Sequence, residues 1–199
     1  MIKIDNLHRL IFITLCTITI SGCGSTMFLR HNEGLAQLAS SQKSALLANK
    51  NNVPCRLEII CPDDMTGRYS TLFSSKVVHY PLKQILRDSF NSAVYCAFEQ
   101  PGGEVLDSFT LKVDVFKSQL DMDSSSASYS LYLMVTLDEP GEKKVLTVRA
   151  DKTLNGPIKD EMDVPSVVYA TAKELAIDVI KQLKEDPKVI KTISRFEKK

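Results

Sequence analysis

Histidine is the scarcest reactive side chain here, with three in 199 residues, at positions 8, 31 and 79. The first two lie before the folded domain that the rest of the sequence predicts. A Ser-His-Asp or Cys-His arrangement would therefore have to be built on His79. No G-x-S-x-G elbow is present, and His79 reads as a strand-end residue beside Tyr80. A charge excess is missing as well: without residues 1–22, the 25 basic and 24 acidic side chains fall to 23 of each. That balance gives no basic face for sequence-independent nucleic-acid binding. Cys55, Cys61, Cys96 and His79 lack the tight C-x₂₋₄-C knuckle of a structural zinc site. Asp121 and Asp123 open like a calcium loop, but Ser126 stands where the turn needs Gly and Tyr132 where it needs the closing Glu. The Pro-Gly-Gly-Glu at 101–104 ends a helix and is no phosphate cradle. The expectation is a protein without cofactor, metal or enzymatic activity.

A membrane-spanning run is also absent. The uncharged stretch Leu10–Ile20 has eleven residues, against about 20 for a spanning helix. It follows Lys3 and Arg9 and precedes Ser21, Gly22, Cys23 and Gly24, the layout of a secretory signal. Ile20-Ser21-Gly22-Cys23 resembles the lipobox of bacterial lipoproteins, with Ile in the place of the commoner Leu. The resemblance implies cleavage after Gly22, a diacylglyceryl thioether on Cys23 and a fatty acyl group (palmitate) on the new amine. Gly24, in place of the Asp that favours inner-membrane retention, implies delivery to the outer membrane with the domain in the periplasm. Several acyl chains make dissociation negligible, since each buried CH₂ contributes about 0.8 kcal/mol.

The expected division is a cleaved signal at 1–22, a lipidated N-terminus and flexible tether at 23–53, a globular domain at 54–185 and an amphipathic tail at 186–199. The tether has weak helical spacing at Leu35, Leu38 and Leu46 that could become a short helix on docking. Arg56–Ile60 reads as a strand, residues 62–70 as a loop rich in turn-formers, and 75–80 as a second short strand. From Leu82 to Ala97 the apolar residues recur at the helical period. Alternation then predicts antiparallel strands at 108–120 and 128–137, and a third at 145–154. A second strong helix runs from about Ser166 to Lys184, and Asp186-Pro187 breaks it. The class is α+β: an antiparallel sheet of about four to five strands with two amphipathic helices on one face.

Three cysteines remain in the domain. Cys55 and Cys61 flank one strand, too far apart for a bridge. Cys61 shares parity with Leu57 and Ile59, and Cys96 sits on the apolar side of its helix. A Cys61–Cys96 disulfide is the preferred pair, and three reduced thiols are the other reading. Phe116, Tyr132 and Met134 fall on the nominally outward side of their strands. They are core if both sheet faces are covered, and an apolar partner surface if one is open.

The 80–95 helix, the 128–145 strand-turn-strand and the 168–183 helix give an architecture that resembles small α+β envelope lipoproteins. Examples are the lipopolysaccharide-assembly lipoprotein and the auxiliary lipoproteins of envelope transport systems. The resemblance implies a non-enzymatic accessory lipoprotein, an adaptor or plug with an envelope protein partner. A lipoprotein that binds a lipid or small hydrophobic ligand is the alternative, and it predicts an internal apolar cavity.

Overall fold

The computed structural model describes residues 26–48, 50–70, 75–101, 108–141, 143–159 and 163–197. Its strands are β1 (Thr26–Phe28), β2 (Cys55–Ile60), β3 (Met65–Ser70), β4 (Ser75–Tyr80), β5 (Phe109–Met122), β6 (Ser126–Glu139) and β7 (Lys143–Pro157). Its helices are α1 (Glu33–Ala36), α2 (Ser40–Leu47), α3 (Leu82–Ala97), α4 (Val164–Glu185) and α5 (Pro187–Phe196). The sheet is seven-stranded in the order β1-β4-β3-β5-β6-β7, with β2 also paired to β5.

The α+β class holds, and the sheet itself is larger and mixed where four to five antiparallel strands were expected. β5, β6 and β7 form the antiparallel meander that alternation predicts. β2 instead runs parallel to the first half of β5, from Cys55 opposite Phe109 to Ile60 opposite Asp114. β3 meets the far end of β5, also in parallel, with Arg68 opposite Asp121. The chain passes through β4 and α3 before β5 pairs back on β2, and such an intervening element is what parallel pairing requires. β3 occupies part of the segment expected as a loop. Gly67 misleads there, because a Cβ at this position would lie 2.7 Å from both the Cβ and the carbonyl oxygen of Leu120. The glycine serves close strand approach rather than a turn. At the β6–β7 turn Gly141 takes φ +88°, a left-handed conformation that glycine adopts at little cost.

One face of the sheet is covered by α3 and α4. Ile85, Leu86, Phe90, Ala93, Val168, Ala172, Leu175 and Val179 are buried on the helices. Phe109, Leu111, Val113, Leu131, Leu133 and Val135 meet them from the strands. The core side of β5 changes parity along the strand. The register shifts between Val115 and Lys117, leaving Phe116 as a bulge residue. Before it the odd positions 109, 111 and 113 are buried; after it Ser118, Leu120 and Met122 are. A bulge adds one residue to one strand and so exchanges inside for outside beyond it.

Residues 26–48 differ from a free tether. β1 adds to the sheet edge parallel to β4, with Phe28 opposite His79, and α1 and α2 pack against α3 and α4. Leu29, Ala36, Leu38 and Leu46 are buried, so the weak helical spacing is used for docking. Polar contacts hold the same segment: the Tyr169 hydroxyl lies 2.8 Å from His31 Nδ1 and accepts from the Asn32 N–H at 3.0 Å. His31 Nε2 is 3.2 Å from Asp88 Oδ2. The Lys184 ammonium donates to the Leu46 and Ala48 carbonyls at 2.8 and 2.9 Å, satisfying acceptors that a helix C-terminus leaves open. The C-terminal tail forms α5. Asp186 caps it by accepting from the Lys188 and Val189 N–H groups, Val189 and Ile193 are buried, and Phe196 meets Phe109 edge-on at 5.1 Å.

Candidate functional site

Among the described residues, no helix lies over the second face of the sheet. Phe116 is 60% exposed and Tyr132 39% exposed, and Met134 is half-buried. They belong to an open face and not to a core. Register brings them together: Asp114 stands opposite both Ile60 and Met134, and Lys117 stands opposite Tyr132. Ile60, 46% exposed, thus joins the group from β2 as a fourth apolar member. Its outward position follows from strand parity with Arg56 and Glu58, which are exposed, so the signal was present in the sequence.

The bulge sets the shape of this patch. Phe116 is the residue that β6 leaves unpaired, and the ring stands out from the open face. Beside it the Lys117 ammonium lies 5.6 Å from the Tyr132 ring centroid, within cation–π range. Polar pairs flank the aromatic group: Thr136 with Thr147 at 3.1 Å and Ser130 with Thr153 at 2.8 Å, hydroxyl to hydroxyl. Lys112 and Asp138 pair at 3.1 Å. An apolar centre inside a polar rim is the usual composition of a protein–protein contact.

The bulge also explains a buried polar cluster on the covered face. It turns Ser118 inward, where its hydroxyl lies 2.9 Å from the Tyr80 hydroxyl and 2.8 Å from the Tyr129 hydroxyl. The two tyrosine rings meet edge-on at 5.8 Å. Burial pushes both phenols above the usual tyrosine range, with the Ser118 hydrogen bond opposing it. All three hydroxyls are satisfied, so the cluster is a specific core contact rather than a reactive site.

Cys55, Cys61 and Cys96 are free thiols, and the preferred Cys61–Cys96 bridge is not made. Cys61 lies near the start of α3, where the Asp63 carbonyl two residues on accepts from the Lys83 N–H at 3.2 Å. Cys96 lies thirteen residues beyond Lys83 on the same helix, about 20 Å further along its axis. That exceeds the Cα span of a disulfide. Parity placed each cysteine on a plausible side without fixing which end of the helix faced β2. Burial raises the Cys55 thiol to about 12 and the Cys61 thiol to about 11, leaving both protonated and weakly nucleophilic at neutral pH.

His79 lies on the open face and stacks on Phe28, with centroids 5.0 Å apart. A cleft of about 260 Å³ lies beside it, lined by Phe28, Leu29, His31, Asp64, Tyr80 and Pro81, with no cysteine among its walls. Among the described residues no three His, Cys, Asp or Glu side chains gather as a metal-ligating group. No described helix is long and apolar enough to cross a membrane. Cys23 and the whole signal segment lie outside the described residues.

No protein-family model matches the chain, and no curated protein matches it. Among solved structures, a Xanthomonas campestris protein of the DUF330 family is similar at TM-score 0.48 and 13% identity, over 79% of this chain and 91% of that one. A minor lipoprotein of Acinetobacter baumannii is similar at 0.42 and 8%, over 67% and 91%. A candidate lipoprotein of Caulobacter crescentus is similar at 0.39 and 9%, over 80% and 98%. All three TM-scores lie below 0.5 and all three identities below 25%.

Proposed function

We propose that this chain is a lipid-anchored, non-enzymatic adaptor of the bacterial envelope. Its open sheet face docks a protein partner, an outer-membrane barrel or a component of an envelope transport system. Cys23 carries the lipid, and the domain works in the periplasm at the outer membrane. The observation that carries the reading is the contrast between a filled helix–sheet layer and an uncovered face with Ile60, Phe116, Tyr132 and Met134 at its centre. Tyr80, Phe90, Phe109 and Tyr129 are fully buried and occupy the layer in which the alternative reading would place a lipid.

The test is site-specific photocrosslinking in cells. A photoreactive residue at Tyr132 is expected to give one discrete adduct with an envelope protein, and Phe116→Ser is expected to abolish it. The same probe at Ile190, exposed on α5, is expected to give none. A Tyr132 probe that captures nothing, or a pattern identical to that at Ile190, would remove the reading. Cys23→Ala is expected to end metabolic lipid labelling and release the domain; persistent labelling would overturn the anchor.

A further inference from the structure

From the length of chain between the anchor and the fold, we infer that the β1–β4 edge of the sheet, presenting Phe28 and Val77, rests against the lipid bilayer. The inference builds on lipidation at Cys23, as proposed above. Three residue steps separate Cys23 from Thr26, the first residue of β1. Fully extended, three residues reach about 11 Å. The acyl chains hold Cys23 at the membrane interface, so Thr26 lies within that distance of it.

Thr26 cannot leave the fold cheaply. β1 pairs with β4 over Thr26–Phe28, and the Leu29 N–H donates to the His79 carbonyl at 2.8 Å. Downstream, His31 and Asn32 are clasped by Tyr169 and Asp88. The Lys184 ammonium fixes the end of α2. An anchored protein with a long loose linker could hold its domain away from the bilayer; this one has its attachment point built into the edge of the sheet.

The surface at that edge suits lipid. Phe28 is 71% exposed, the most exposed large apolar side chain among the described residues, and Val77 is 49% exposed. They share the outer side with Thr26, which stands opposite Val77, and with His79, on which Phe28 stacks. Met27 and Leu29 turn inward, and Arg30 is exposed just beyond. An exposed aromatic ring and a branched aliphatic beside an arginine fit the boundary between acyl chains and phosphate headgroups. The patch lies at the opposite edge of the sheet from β7, and β3 separates it from the Phe116 group on β5.

The chain contains no tryptophan, so single reporters can be introduced into the lipidated full-length protein. Phe28→Trp, Val77→Trp and Ile190→Trp would each be reconstituted in vesicles of phosphatidylethanolamine and phosphatidylglycerol, with and without brominated acyl chains. Phe28→Trp and Val77→Trp are expected to shift to the blue and lose emission to the brominated lipid, while Ile190→Trp keeps its emission. Inserting a Gly-Ser linker of about 15 residues between Ser25 and Thr26, with a reach of roughly 20 Å, is expected to restore emission at Phe28→Trp with the lipid still attached. Two reporters at the edge guard against one variant misfolding. Unquenched Phe28→Trp and Val77→Trp in protein that carries lipid label and floats with the vesicles would overturn the membrane contact alone. Absence of lipid label on the parent protein would overturn the anchor and this inference with it.

Discussion

The two faces of the sheet are built from the same three long strands and do different work. On the covered face Leu111, Val113, Leu131 and Val135 are inaccessible to solvent, in one apolar cluster with the buried residues of α3 and α4. On the open face the same strands show threonine and serine pairs, a Lys112–Asp138 ion pair and the Phe116 group. Burial of apolar area dominates folding free energy, so the covered face should govern stability and leave the open face free to vary with what it binds. The difference teaches that exposure of Phe116 and Tyr132 is a property of the fold, since the only helices that could cover them are already engaged on the other side among the described residues.

The comparison can be broken most severely from the covered side. Phe90→Ala in α3 removes a fully buried ring and is expected to destabilise by about 3–5 kcal/mol, read from urea unfolding. A loss below that of an open-face substitution would end the asymmetry. Ser118→Ala comes next. It leaves the buried Tyr80 and Tyr129 hydroxyls without their shared partner, and is expected to cost about 1–3 kcal/mol. The same cluster predicts alkaline lability. Both phenols are raised by burial, so the folded state favours their neutral form. That contribution is complete below the unfolded tyrosine value of about 10 and is lost as pH rises above it. Tyr129→Phe should flatten the decline of stability above that pH, and an unchanged decline would count against the assignment.

A smaller effect belongs to the β5–β6 turn. The Asp123 carboxylate, held at about 2 by N–H and hydroxyl donors from Ser125 and Ser126, is a depressed acid. Its contribution is present above the unfolded value of about 3.9 and is lost as pH falls toward 2. Asp123→Ala should reduce the loss of stability between those limits, measured by thermal melts across that range. The smallest expected change is Phe116→Ser on the open face, within about 0.5 kcal/mol. That variant sharpens the comparison, since partner capture at Tyr132 should vanish while the melting curve barely moves.

Long elements were legible because their periodicity repeats many times. α3, α4 and the β5–β6–β7 meander follow the alternation and helical spacing of their residues closely. Even the parity change in β5 is written in the string Lys117-Ser118-Gln119-Leu120-Asp121-Met122, where polar residues move to the odd positions. A single alternation carried through Phe116 passes over it. β3 was hidden because a six-residue strand with a glycine at its centre looks like a turn until Leu120 is seen across from it. The docked N-terminal segment was hidden for another reason: its partners Tyr169 and Lys184 stand well over a hundred residues away, where no local pattern can signal them. The apolar patch was half legible. Phe116, Tyr132 and Met134 were found by parity, and whether they formed core or surface depended on where the helices lay.

The bulge at Phe116 has a genetic consequence. Because Phe116 is the residue that the β5–β6 ladder leaves unpaired, both substitution and deletion at this codon should keep the two half-strands in phase with their sides of the molecule. Almost any side chain can occupy the position, which faces solvent. Loss of the codon would likewise leave Val115 opposite Leu133 and Lys117 opposite Tyr132 in an unbroken ladder, with Ser118, Leu120 and Met122 still facing the helices. Position 116 is therefore expected to be permissive in a substitution library and in a deletion library alike, behaving like a spare residue in the strand rather than a contact within it.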